Sequence, residues 1–145
     1  MRIDNQNPSF TSVKKFGPKN THGTRAIKLY RTTGQELFVW QQRQIRAIEA
    51  FDKNKQWLHM NYCICVSRRN GKGEILAARE LDGLINLKEK ICHTAHRTTT
   101  SHDAFVRLYT LLKKVGYKEH SRKKKAMPEK SFFASKQYGL EHIEV

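Results

Sequence analysis

Between residues 62 and 87 the apolar pattern changes its period, and that change restricts the folds open to this chain. Tyr62-Cys63-Ile64-Cys65-Val66 is a short continuous apolar run of the length expected for a buried strand. Residues 67–73 break it with Arg68, Arg69, Gly71, Lys72 and Gly73. Beyond the break, Ile75, Leu76, Ala77, Ala78, Leu81, Leu84, Ile85 and Leu87 recur at helical spacings and give a broad apolar face. A second unit follows. Residues 88–90 form a polar turn and residues 91–95 read as another short strand. Ser101 then caps a helix whose core face is Ala104, Phe105, Leu108, Leu111, Leu112 and Val115, stopped by Gly116. Two successive strand–loop–helix units predict the α/β class, a parallel sheet with crossover helices, with a strand at about 60–66 leading into a helix at about 72–87.

The rest of the chain frames these units. Residues 1–35 form a basic lead-in punctuated by Pro8, Gly17, Pro18 and Gly23, which favours extended, loop-rich backbone over helix. Trp40, Ile45, Ala47, Ile48 and Phe51 predict an amphipathic helix ending around Asp52 to Lys55. Residues 131–135 and 140–145 read as two further short strands. The chain has 145 residues, enough for one domain or a piece of a larger one, and its 10% aromatic content is too high for a wholly disordered basic tail.

Charge and cysteine usage narrow the classes further. The formal net charge is +15 and is uneven: residues 1–31 carry seven Lys/Arg and one acid, and residues 113–130 carry eight and two. Such a surplus points to a polyanionic partner, with phosphate the leading candidate. No apolar stretch approaches the ~20 residues of a bilayer span, and residues 1–7 hold no apolar run for a signal peptide, so membrane and secreted classes are not expected. Three cysteines without framework spacing fit reduced thiols in a cytoplasmic protein.

The loop between the first strand and its helix carries the chemistry. A phosphate loop needs this placement, because backbone N–H groups at a helix start face the anion while a lysine reaches the terminal phosphates. Gly71-Lys72 is in the right place, although Val66 stands where the usual first glycine would be and Gly73 replaces the hydroxyl residue that contacts magnesium. The bland alternative is a tight Asn70-Gly71 turn with Arg68, Arg69 and Lys72 as solvated charges.

The string from Ser67 through Glu74 to Glu80, Ser-Arg-Arg-Asn-Gly-Lys-Gly-Glu-Ile-Leu-Ala-Ala-Arg-Glu, resembles the deviant Walker A segment of phage and prophage terminase large subunits, the DNA-packaging ATPases. Leu37-Phe38-Val39-Trp40-Gln41 is similar to that family's adenine-binding motif, and Ile91-Cys92-His93-Thr94-Ala95-His96 with Thr99-Thr100-Ser101 and Ala104-Phe105 resembles the next strand and helix of the same core. The resemblance covers residues 30–120 most strongly. It implies a P-loop NTPase-like partial parallel sheet flanked by helices, with residues 36–145 as the N-terminal part of the ATPase domain. It also implies ATP with Mg2+ as cofactor, held by Phe38, Trp40, Gln41, Ser67, Arg69, Asn70, Gly71, Lys72, Gly73 and Glu74, with Lys72 and Arg68 as catalytic groups. Lys72 would contact the β and γ phosphates, Arg68 would sense the γ phosphate or stabilise transition-state charge, and the Gln41 amide would read the adenine edge. Implied partners are double-stranded DNA, a small terminase subunit, the portal and other copies of the chain in a ring. The setting would be the cytoplasm of a bacterial host, with the gene phage or prophage encoded.

The absences matter as well. No apolar strand in these 145 residues ends in the Asp-Glu pair that holds magnesium and activates water, and the clustered acids of the family's nuclease domain are missing. The chain is therefore expected to act as an N-terminal fragment that binds nucleotide and turns it over little. Zinc held by Cys63, Cys65, Cys92, His93 and His96 is disfavoured, since metal knuckles use Cys-x-x-Cys turns and these cysteines fall in expected core strands. Cysteine–histidine catalysis by Cys92 and His93 fails because strand neighbours face opposite sides. Ordinary helix-start packing is the alternative for Trp40. The alternative for the whole chain is a stand-alone basic nucleic-acid-binding module without nucleotide chemistry.

That last class yields a test. If Arg122, Lys123, Lys124 and Lys125 hold DNA phosphates, binding is non-specific and falls by ~10-fold or more between 50 and 200 mM salt. Replacing all four by alanine should weaken binding and flatten the salt slope in a fluorescence-anisotropy titration. An unchanged slope assigns the run to a solvated loop.

Overall fold

The computed structural model describes residues 10–116 and the strand Leu140–Ile143. It is a mixed structure dominated by helix: α1 (Gly23–Thr32), α2 (Val39–Ile48), α3 (Lys72–Asp82), a π-helical turn (Gly83–Leu87), β1 (Ile91–Thr94), α4 (Thr98–Lys114) and β2 (Leu140–Ile143). The chain divides into two compact units, residues 1–79 and residues 80–145.

In the first unit, α1 and α2 pack at closest approach where Gly23 meets the backbone of Arg46. A Cβ at Gly23 would lie 2.5 Å from Arg46 Cα and 2.8 Å from the Ile45 carbonyl oxygen. Thr21 reinforces the junction: its hydroxyl donates to the Arg46 carbonyl at 2.7 Å and accepts from the Gly23 amide at 3.0 Å. Ala26, Ile27 and Tyr30 of α1 are buried, as are Ile45 and Ala47 of α2. After α2, the amides of His22 and Phe51 donate to Glu49 and Asn20 carbonyls, so the chain entering α1 runs beside the chain leaving α2. A turn then forms around Asp52, whose carboxylate accepts from the amides of Asn54 and Gln56 at 2.8 and 3.0 Å. Arg79 of α3 lies over the Trp57 ring at 5.4 Å and brings its Nε to 3.7 Å from the buried Glu49 carboxylate. Tyr62 donates to Gln44 at 2.7 Å, and burial pushes its phenol above the ordinary tyrosine pKa.

In the second unit, β1 pairs antiparallel with β2 in the register Ile91↔Ile143 to Thr94↔Leu140. Glu80 Oε1 of α3 accepts from His93 Nδ1 of β1 at 2.6 Å in the tautomer that carries its proton on Nδ1. Leu108, Leu111 and Leu112 form the buried stripe of α4.

Several expectations are met: α3 and α4 lie where the periodicity placed them, β1 follows the polar turn, and a strand forms within residues 140–145, while α2 starts as expected but ends at Ile48, leaving Phe51 to bridge to Trp57. Others are corrected. Gly23–Thr32 is helical, because Gly23 serves helix packing and does not break the chain. Residues 60–66 form no strand among the described residues. From residue 61 to 66 burial alternates with a strand's period of two, but no ladder partner is present among the described residues, and Cys63, Cys65 and Cys92 are exposed instead of buried. The strand pair that does form is antiparallel, so a parallel sheet is not seen among the described residues. Ser101 lies inside α4 with its hydroxyl donating back to the Thr98 carbonyl at 3.0 Å, and the cap position belongs to Arg97. The helix expected to reach Leu87 widens to a π turn at Gly83 and ends at Lys88, which has φ +55. Residues 131–135 lie outside the described residues.

The Gly23 contact leads to a stability prediction. Gly23→Ala should destabilise the protein by about 1–3 kcal/mol, because backbone and not a flexible side chain must yield. Gly17→Ala, with nothing within 4 Å, should change stability by no more than about 0.5 kcal/mol. Urea denaturation of both variants reads the difference as a shift in midpoint.

Candidate functional site

The loop of residues 66–72 enters α3 through alternating backbone hand. Arg69 has φ +64 and Gly71 φ +75, while Asn70 between them does not have positive φ. Alternation of this kind underlies anion-binding backbone concavities. Among the described residues, no backbone carbonyl accepts from the amides of Arg69, Asn70 or Gly71. The first helical contact is the Glu74 amide donating to the Gly71 carbonyl at 3.1 Å.

Lys72 is half-buried and folds back over this loop. Its Nζ donates to the Val66 carbonyl at 2.7 Å and to the Ser67 carbonyl at 3.4 Å. The loop thus closes around an ammonium held by neutral carbonyls, contacts that an anionic oxygen is able to replace with a stronger charge-assisted bond. Ser67, Arg68, Arg69, Asn70 and Gly73 are exposed around it.

Gln41 joins this loop to the start of α2. Its Oε1 accepts from the Phe38 amide at 2.7 Å, completing the helix cap, and its Nε2 donates to the Gly71 carbonyl at 3.0 Å. The orientation of the amide follows from chemistry, since the Phe38 N–H is only a donor and the Gly71 C=O only an acceptor. Phe38, expected beside a nucleobase, is 65% exposed, and Trp40 is half-buried.

Glu74, in the first turn of α3, faces inward. Its Oε2 accepts from the hydroxyl of Tyr30, a residue only 1% exposed that also lies 2.6 Å from Gln35 Oε1. Tyr30 escaped the sequence reading because it lies in the lead-in; the spacing of Ala26, Ile27 and Tyr30 is the signal that marks it. The structure therefore brings together Phe38, Gln41, Gly71, Lys72 and Glu74, and leaves Arg68 and Arg69 outward. Arg122, Lys123, Lys124 and Lys125 lie outside the described residues.

The geometry at Gly71 is testable by substitution. An added Cβ would lie 2.5 Å from Gln41 Nε2, on top of the cost of positive φ. Gly34 has a similar φ of +80 with nothing within 4 Å, so Gly34→Ala isolates the backbone strain of about 1–2 kcal/mol. Gly71→Ala is expected to cost about 1 kcal/mol more than Gly34→Ala in denaturant titrations, from the displaced Gln41 amide.

No protein-family model, no curated protein and no solved structure matches this chain, so its function is argued from the loop itself.

Proposed function

We propose that the chain is the N-terminal part of a terminase-type DNA-packaging ATPase domain and that residues 66–74 bind the triphosphate of ATP. The observation that carries this reading is Lys72, whose ammonium is folded over a loop with two positive-φ residues at the start of α3. On binding, the ammonium leaves the Val66 carbonyl for phosphate oxygens, and the loop amides donate to the same anion. Arg68 and Arg69 add positive potential from the exposed side. Phe38 and Trp40 offer apolar surface to a base. A parallel sheet of the phosphate-loop type belongs to the same proposal.

Magnesium fits less well than the triphosphate does. Gly73 has no hydroxyl, and the Glu74 carboxylate is engaged by Tyr30. Among the described loop residues Ser67 and Asn70 carry only neutral side-chain oxygens, weaker ligands for magnesium than a carboxylate. Without a magnesium-holding aspartate or a water-activating glutamate, charge developing in phosphoryl transfer is poorly stabilised by these 145 residues. Double-stranded DNA, a small terminase subunit, a portal, ring assembly and a bacterial host cytoplasm are the partners and setting this reading entails. No helix among the described residues is long and apolar enough to cross a membrane.

The second reading, a basic nucleic-acid-binding module, draws on one feature of the first unit. From Phe10 through Gln35 there are six Lys/Arg and no acid. The two readings part at Lys72. Calorimetric titration with ATP should give a Kd of roughly 0.1–1 mM for the wild type, equivalent to ~4–5.5 kcal/mol, with negligible turnover. Lys72→Ala should abolish that binding and leave DNA affinity nearly unchanged. Folded wild type that binds no ATP overturns the nucleotide reading, and brisk hydrolysis lost in Lys72→Ala overturns the expectation of a non-hydrolysing chain.

A further inference from the structure

The glutamine that the adenine motif offers to a base is already engaged at both ends. Gln41 is 1% exposed; its oxygen holds the Phe38 amide and its nitrogen holds the Gly71 carbonyl. An amide in this position has one N–H and one lone pair left, but neither is accessible to a ligand. The neighbouring amides are engaged too. Gln42 donates to the Leu37 carbonyl at 2.9 Å, and Gln35 meets the Tyr30 hydroxyl. What α2 presents outward at its start is apolar: Phe38 at 65% and Val39 at 53% exposure. Such surfaces stack on any base, because every base has a π face.

We propose that Gln41 is a positioning residue for the phosphate loop and does not read a nucleobase, so that the site takes nucleoside triphosphates with little regard to the base. This rests on the nucleotide-binding reading above. Gln41 acts through Gly71. By holding that carbonyl it keeps the positive-φ turn in place, and the turn sets where Lys72 and the loop amides stand. A Cβ built at Gly71 would lie 2.5 Å from Gln41 Nε2, so the amide occupies the space that any side chain at this position would need.

The test uses the full 145-residue chain and two independent readouts. In calorimetry, ATP, GTP and CTP should bind the wild type within about fivefold of one another. Gln41→Met, which keeps the length of the side chain and removes both hydrogen bonds, should weaken ATP and GTP by the same factor, on the order of tenfold. Gln41→Ala serves as a second variant. In ligand-free protein, amide hydrogen exchange across residues 67–72 should speed up in both variants while α4 stays as in the wild type. A preference for ATP over GTP of about tenfold or more that vanishes in Gln41→Met overturns the proposal and makes Gln41 a base reader. Unchanged loop exchange overturns the positioning role. If the wild type binds no triphosphate, the nucleotide reading fails and indifference to base fails with it, while the exchange measurement still decides whether Gln41 holds the loop.

Discussion

A single buried amide, that of Gln41, sets the distance between the start of α2 and the loop before α3. Two other links close a triangle in the first unit. Gly23 lets α1 touch α2, and the Tyr30 hydroxyl ties α1 to Glu74 in the first turn of α3. The Gln41 hydrogen bonds are modest alone, since a protein hydrogen bond contributes about 0.5–1.5 kcal/mol net. Their effect is geometric. With all three made, the exit of the loop into α3 is held at Gly71 and Glu74, and Lys72 reaches back to the carbonyls of Val66 and Ser67 where the loop begins.

Most acids of the described residues have a partner within the chain. Glu36 pairs with Arg31, Glu49 lies by Arg79, Asp52 closes a turn, Glu74 meets Tyr30, Glu80 meets His93 and Asp82 accepts from Asn86. With 28 Lys/Arg against 13 Asp/Glu the formal net charge is +15, and Lys14, Lys15, Lys19, Lys28, Arg68 and Arg69 are exposed. The outward field of this chain is therefore positive, and it favours the approach of any polyanion before a particular contact selects among them.

The helices α2, α3 and α4 were legible because their apolar positions repeat near 3.6 residues and burial follows that repeat. The turn at Asn70-Gly71 was legible from residue type alone, and Gly71 does adopt the positive φ that glycine permits. What stayed hidden depends on partners distant in sequence. Gly23 reads as a breaker until Arg46 is seen against it. Cys63 and Cys65 read as core until the run is seen without a paired strand. Gln41 is recognisable as a residue of the adenine motif, but only the fold shows that Gly71, 30 positions away, takes its free nitrogen. The role of an amide follows from which donors and acceptors surround it, and no local pattern encodes that.

The contact of α1 with α2 has a character of its own. Where side chains meet, an interface gives way by degrees, as rotamers shift and small voids are tolerated. At Gly23 the backbone of one helix lies directly on the backbone of another, at Arg46 Cα and the Ile45 carbonyl, and there is nothing between them to rearrange. Such a junction is engaged or parted, with little in between. It behaves like a latch beside the hydrogen bonds of Thr21, His22 and Tyr30 that also fasten the basic leading segment to the rest of its unit.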